Sequence, residues 1–78
     1  MNLDYEKEDS WKRADAPKNG FRTLDMRFLA CPETGGSTWN VHDTLTGYRL
    51  LLPSFKSCRQ IAVHMAELAE KRKGHGDG

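Results

Sequence analysis

The sequence predicts an α+β domain in which a three-stranded antiparallel sheet packs on one C-terminal amphipathic helix, in the order β-β-β-α. Three observations point there. Apolar and polar residues alternate with a period of two through residues 21–30, 38–43 and 48–52, the pattern of half-buried strands. Turn-forming residues separate these runs, at 31–37 and again at 43–47. Beyond Pro53 the period lengthens to that of a helix, with Cys58, Ile61, Ala62, Met65, Leu68 and Ala69 on one stripe.

Residues 1–20 come first and fit none of these patterns. Their apolar positions (Leu3, Tyr5, Trp11) are scattered, and Pro17-Lys18-Asn19-Gly20 closes the segment with strong turn punctuation. A helix over 9–14 would be marginal alone, so the segment reads as an arm, flexible or lightly docked through Trp11. The first strand, 21–30, puts Leu24, Met26, Phe28 and Ala30 on one face and Thr23, Asp25 and Arg27 on the other. Pro32, Gly35 and Gly36 then make a turn. In the second strand Trp39 and Val41 oppose Thr38, Asn40 and His42. Asp43 can cap the following turn with its carboxylate, and Gly47 can take a positive φ at no steric cost, so strands two and three form a hairpin. The third strand, 48–52, aligns Tyr48, Leu50 and Leu52, and Pro53 ends it.

Ser57 and Gln60 have the spacing of a capping box at the helix start. Lys71, Arg72 and Lys73 suit the negative end of the helix dipole, and Gly74 is a stop signal. Residues 75–78 read as a disordered tail after a domain spanning 21–74. The expected core is Leu24, Met26, Phe28, Trp39, Val41, Tyr48, Leu50, Leu52, Ile61, Met65 and Leu68.

With 78 residues there is room for one domain, and a chain of this size buries only about 60% of its unfolded surface. Net charge is +1, too weak to dictate a polyanionic partner by itself. Positive charge is concentrated in residues 20–73, where Arg22, Arg27, Arg49, Lys56, Arg59, Lys71, Arg72 and Lys73 face five acids. No secretory leader and no membrane-length apolar run is visible, and two cysteines make no disulfide framework, so the cytoplasm is the expected compartment.

Candidate chemistry is sparse. His42, His64, His75, Cys31 and Cys58 lack the short spacings of a zinc site, so no metal and no cofactor is expected. Cys58 near a helix start could have a lowered pKa, but it also lies on the apolar stripe, where burial opposes ionisation. Asp25 and Asp43 fall near opposite strand ends, and Gly35-Gly36 leads into a strand where a phosphate loop would open a helix. No enzyme site can be assembled from these residues. A binding surface can. The outward sheet face would carry Thr23, Asp25, Arg27, Asn40, His42, Arg49 and Leu51, and Trp11 with Lys12 and Arg13 either anchors a partner or clamps the open side of the sheet.

The strand order, with Trp39-Asn40-Val41 in the second strand and Pro53-Ser54-Phe55-Lys56-Ser57 leading into an alanine-bearing helix, resembles the arm-type DNA-binding domain of tyrosine integrases. The resemblance covers 21–73 and implies a sheet entering the major groove with a helix behind it. The face is less basic than such a reader would have. In size and mixed α/β character the chain is also similar to small phage and mobile-element proteins such as anti-CRISPR inhibitors, which implies non-enzymatic occupation of a surface.

Two functions follow as expectations. The leading one is a small inhibitor or adaptor that occupies a larger host or phage protein complex through Trp11, Arg27, Asn40, His42, Arg49 and Leu51. The competing one is a DNA-binding module of integrase-arm or excisionase-like type, with Arg27, Asn40 and Arg49 on bases and Lys56, Lys71 and Lys73 on phosphates. The free edges of a three-stranded sheet could also pair to form a homodimer.

Overall fold

The computed structural model describes residues 3–15 and 19–76. Their order is a 3-10 turn (Glu8–Ser10), β1 (Trp11–Arg13), β2 (Phe21–Thr23), β3 (Phe28–Pro32), β4 (Trp39–Asp43), β5 (Arg49–Leu52) and α1 (Phe55–Gly76). All five strands form one antiparallel meander, β1-β2-β3-β4-β5, and α1 packs on one of its faces.

The α+β class and the helix-on-sheet packing therefore stand, but the sheet has five strands where three were expected. One added strand comes from the presumed arm. β1 pairs with β2 in the register Trp11↔Thr23, Lys12↔Arg22, Arg13↔Phe21, and Trp11 is buried at 7% exposure, with its indole N–H donating to the Tyr5 carbonyl at 2.7 Å. The other comes from splitting the first expected strand. Residues 24–27 turn the chain back on itself, so Phe21 pairs with Ala30 and Arg22 with Leu29.

That turn changes the parity of the pattern. In a straight strand, residues 21 and 23 would face away from residues 28 and 30. The four-residue reversal brings Phe21, Thr23, Phe28 and Ala30 onto the same helix-facing side and throws Leu24 and Met26 out to 50% and 49% exposure. Met26 there has φ +67°, which no alternation pattern discloses.

The Asp43–Gly47 turn is built as expected. Leu45 and Thr46 donate their N–H groups to the Asp43 carboxylate, and Gly47 sits at φ +86° while donating to the Asp43 carbonyl at 2.7 Å. Pro32 is tolerated inside the sheet because β2 ends opposite Ala30, leaving no neighbour on that side to ask for its missing donor.

The helix begins a turn earlier than the expected capping box. Ser54 Oγ accepts the Ser57 N–H at 3.1 Å, which makes Ser54 the N-cap and places Cys58 inside the helix. At the other end α1 continues through Gly74 to Gly76, since glycine permits a left-handed stop without imposing one. The 75–78 tail is thus helical as far as Gly76, and its last two residues lie outside the described ones.

The core is smaller and more aromatic than expected. Trp11, Phe28, Ala30, Val41, Cys58, Ala62 and Met65 are buried, with Tyr5, Phe21, Trp39, Leu52, Phe55, Ile61 and Ala66 packed against them. Phe55 is the hub: its ring lies 4.7 Å from Phe21, 5.3 Å from Trp11 and 5.5 Å from Trp39, centroid to centroid. Tyr48, Leu50 and Leu68, expected inside, are 52%, 43% and 60% exposed. The helix lies mainly over β3 and β4, which leaves Leu68 on an open flank of the helix.

Candidate functional site

Arg27 is the first expected contact residue to be reassigned. Its guanidinium makes a two-point pair with Asp43, Nε to Oδ1 at 3.2 Å and a terminal nitrogen to Oδ2 at 3.1 Å, and it lies 5.0 Å over the Phe28 ring. Asp43 has no exposed surface. Burial would raise its pKa, but the Arg27 hydrogen bonds and the turn N–H groups outweigh this and hold the carboxyl below its ordinary range. Arg27 and Asp43 therefore join the 24–27 and 44–47 turns. Thr44 adds N–H and Oγ1 bonds to the Arg27 carbonyl at 2.9 and 2.6 Å.

Thr23, expected outside, is buried, and Asp25, exposed as expected, joins it in the same assembly. Thr23 is fully buried; its Oγ1 accepts the Phe28 N–H at 3.0 Å and donates to Asp25 Oδ1 at 2.6 Å. Tyr5 donates its hydroxyl to the other Asp25 oxygen. Burial, reinforced by that bond to Asp25, pushes the Tyr5 pKa up to about 12. These groups are structural, and every buried side-chain N or O among the described residues has a partner.

Cysteine chemistry finds no support in the geometry. Cys58 is fully buried, and burial, with a smaller effect from Cys31, pushes its thiol up to about 11, opposite to what a nucleophile needs. Cys31 is also raised, by burial and then by Glu33. No cluster of three or more potential metal ligands exists among the described residues, and no helix among them is long and apolar enough to cross a membrane. A concavity between α1 and the N-terminal segment is lined by Leu3, Tyr5, Arg27, Val63, Ala66, Glu67 and Lys71; two of its donors, Tyr5 and Arg27, are already engaged, and the Lys71 ammonium shares it with the acids Asp4, Glu67 and Glu70.

What remains is the sheet face turned away from α1. Strand register places Lys12, Arg22, Leu29, Cys31, Asn40, His42, Arg49 and Leu51 on it. Asn40, His42, Arg49 and Leu51 were expected there; Lys12, Arg22, Leu29 and Cys31 were not, because their strands were hidden in the arm and in the split strand. The pairings line up as one row across all five strands, Lys12↔Arg22↔Leu29↔His42↔Arg49, with Cys31↔Asn40↔Leu51 beside it.

The cations of this row differ from the others in the molecule. Arg13 lies over Phe21, Arg27 over Phe28, and Arg59 over Phe55 while donating to the Glu6 carbonyl at 2.9 Å. The side chains of Lys12, Arg22 and Arg49 make no hydrogen bond or ion pair among the described residues, although Asp15 lines a shallow hollow with Lys12 and Arg22 and Glu33 is near enough to raise the Cys31 thiol. Lys56 and Lys71 are exposed, but on the helix behind the sheet, and the Lys73 side chain lies outside the described residues. Trp11, buried on the helix side, offers no anchor to a partner. Compared with protein families, curated proteins and solved structures, this chain matches none.

Proposed function

We propose that this chain is a non-enzymatic binding module that rests the open face of its sheet on the phosphate backbone of duplex DNA. The observation that carries the reading is the cross-strand row of Lys12, Arg22, His42 and Arg49, in which Lys12, Arg22 and Arg49 have no ion-pair partner among the described residues. Strands are spaced about 4.8 Å apart, so Arg22 and Arg49 stand about 14 Å from one another and the whole row spans about 19 Å. A major groove is about 12 Å wide. Five strands therefore bridge its walls, where the three strands implied by the integrase resemblance would enter. Contacts of that kind position a protein without reading sequence.

Three phosphate contacts give a salt slope of about −2.7, so affinity for a duplex falls roughly forty-fold between 50 and 200 mM salt. Fluorescence anisotropy on a labelled duplex measures this. Exchanging Lys12, Arg22 and Arg49 together for Gln should abolish binding while leaving the circular dichroism spectrum unchanged. Absence of binding by the unaltered chain at low salt removes the reading. The second reading, an inhibitor or adaptor seated on a larger protein, then takes over the same face, supported by Leu29, Cys31 and Leu51, which set apolar atoms among the cations.

A further inference from the structure

The two edges of the sheet are finished differently. β1 ends one side with Lys12 and Arg13 exposed, the charged protection that edge strands usually carry. β5 ends the other with Arg49-Leu50-Leu51-Leu52. Leu50 is 43% and Leu51 62% exposed, and Tyr48 and Leu45 beside them are 52% and 72% exposed. The helix adds to this patch. Arg59 reaches Glu6, and Val63 and Ala66 line the concavity with Tyr5, so that flank of α1 faces the N-terminal segment. At 100° per residue, Ile61 and Leu68 lie on the opposite flank, toward β5, and Leu68 is 60% exposed.

We propose that β5 pairs antiparallel with β5 of a second copy of this chain, about a two-fold axis through Leu50. Backbone phase allows it. The Asp43 N–H donates to the Tyr48 carbonyl at 2.8 Å, so Tyr48, Leu50 and Leu52 direct their backbone groups to β4, while Arg49 and Leu51 direct theirs outward. With Leu50 on the axis, Arg49 lies opposite Leu51 of the second copy, and the two residues exchange N–H and carbonyl bonds; symmetry repeats the exchange.

Charge and proline select this register over its neighbours. Sliding by two residues one way sets Arg49 directly against Arg49 of the second copy, a like-charge pair. Sliding the other way sets Arg49 against Pro53, which has no N–H to return. In the register centred on Leu50, no two charges meet. Leu50 faces its own copy and Tyr48 faces Leu52 on the helix side, and Arg49 lies beside Leu51 on the open side. A net charge of +1 puts little repulsion between copies. The contact is isologous and closes on itself, joining the two meanders into one sheet with both helices on the same side.

Sedimentation velocity of the full chain, over a concentration series through the micromolar range, should show the apparent mass doubling. Leu51→Lys places a charge opposite Arg49 of the second copy and touches neither α1 nor the core. It should raise the dimer dissociation constant by about tenfold or more. Leu50→Lys, at the axis, should do the same. Hydrogen exchange provides a check independent of either variant: the Arg49 and Leu51 amides should slow as concentration rises. A chain that stays monomeric throughout the series overturns the proposal, as does a dimer indifferent to Leu51→Lys.

Discussion

The turns at residues 24–27 and 44–47 lie side by side at one end of the sheet, and an aspartate organises each. Asp43 collects the Leu45 and Thr46 N–H groups, and Gly47 supplies the positive φ. Asp25 accepts the Arg27 N–H at 3.1 Å and the Thr23 hydroxyl, and a non-glycine residue, Met26, takes the positive φ. Of the two, the 44–47 turn is the local one, its glycine and its cap standing within five residues. The 24–27 turn holds a left-handed methionine in place through contacts from outside, with Tyr5 on Asp25 and the Arg27–Asp43 pair fastening it to its neighbour. A turn without glycine is stable here because distant groups oblige it.

Removing the shared tether should cost most. Asp43→Ala strands Arg27, whose side chain is only 16% exposed, and frees two turn N–H groups. We expect a loss of about 3 kcal/mol by urea denaturation, a large part of the stability of a domain this small. The same carboxylate sets an acid limit. Asp43 and Asp25 are held below their ordinary pKa in the fold, so their contribution is complete above about pH 4, the unfolded value, and is lost as pH falls through the lower folded values. Asp43→Ala should show a shallower loss of stability with acid than the unaltered chain.

Thr23→Val comes next. It keeps the shape and leaves the buried Phe28 N–H without an acceptor, for about 1–3 kcal/mol. Thermal denaturation should rank it below Asp43→Ala, and a cost near zero would mean that the 24–27 turn does not depend on its side-chain bonds. The smallest effect has the opposite sign. Met26→Gly relieves a left-handed residue whose side chain is 49% exposed, and should raise stability by up to about 1 kcal/mol, because the added freedom of the unfolded glycine offsets part of the gain. Destabilisation on that substitution would show that the methionine side chain carries the turn.

Legibility followed the same division. Val41, Leu52, Ala62 and Met65 declared their positions by period alone, and Asp43 and Gly47 declared their turn. Arg49, Leu51, Asn40 and His42 were correctly placed on the open face. Lys12 and Arg22, which complete the cationic row, were not, because a three-residue strand is too short for a period to be read. Thr23 followed by Asp25 was the available sign of a reversal, since both side chains can bond nearby backbone. Within an apparently continuous alternation it carried little weight.

By itself, then, the chain's order of residues determined the class of fold, the helix with its inward stripe and the hairpin at Asp43–Gly47, because periodicity and glycine act over a few neighbours. Only the tertiary structure decided that the sheet has five strands, that Phe55 gathers Trp11, Phe21 and Trp39, and that Arg27 faces Asp43. Each of those outcomes joins residues far apart in the chain, and their gain appears only once both partners have been brought together out of water.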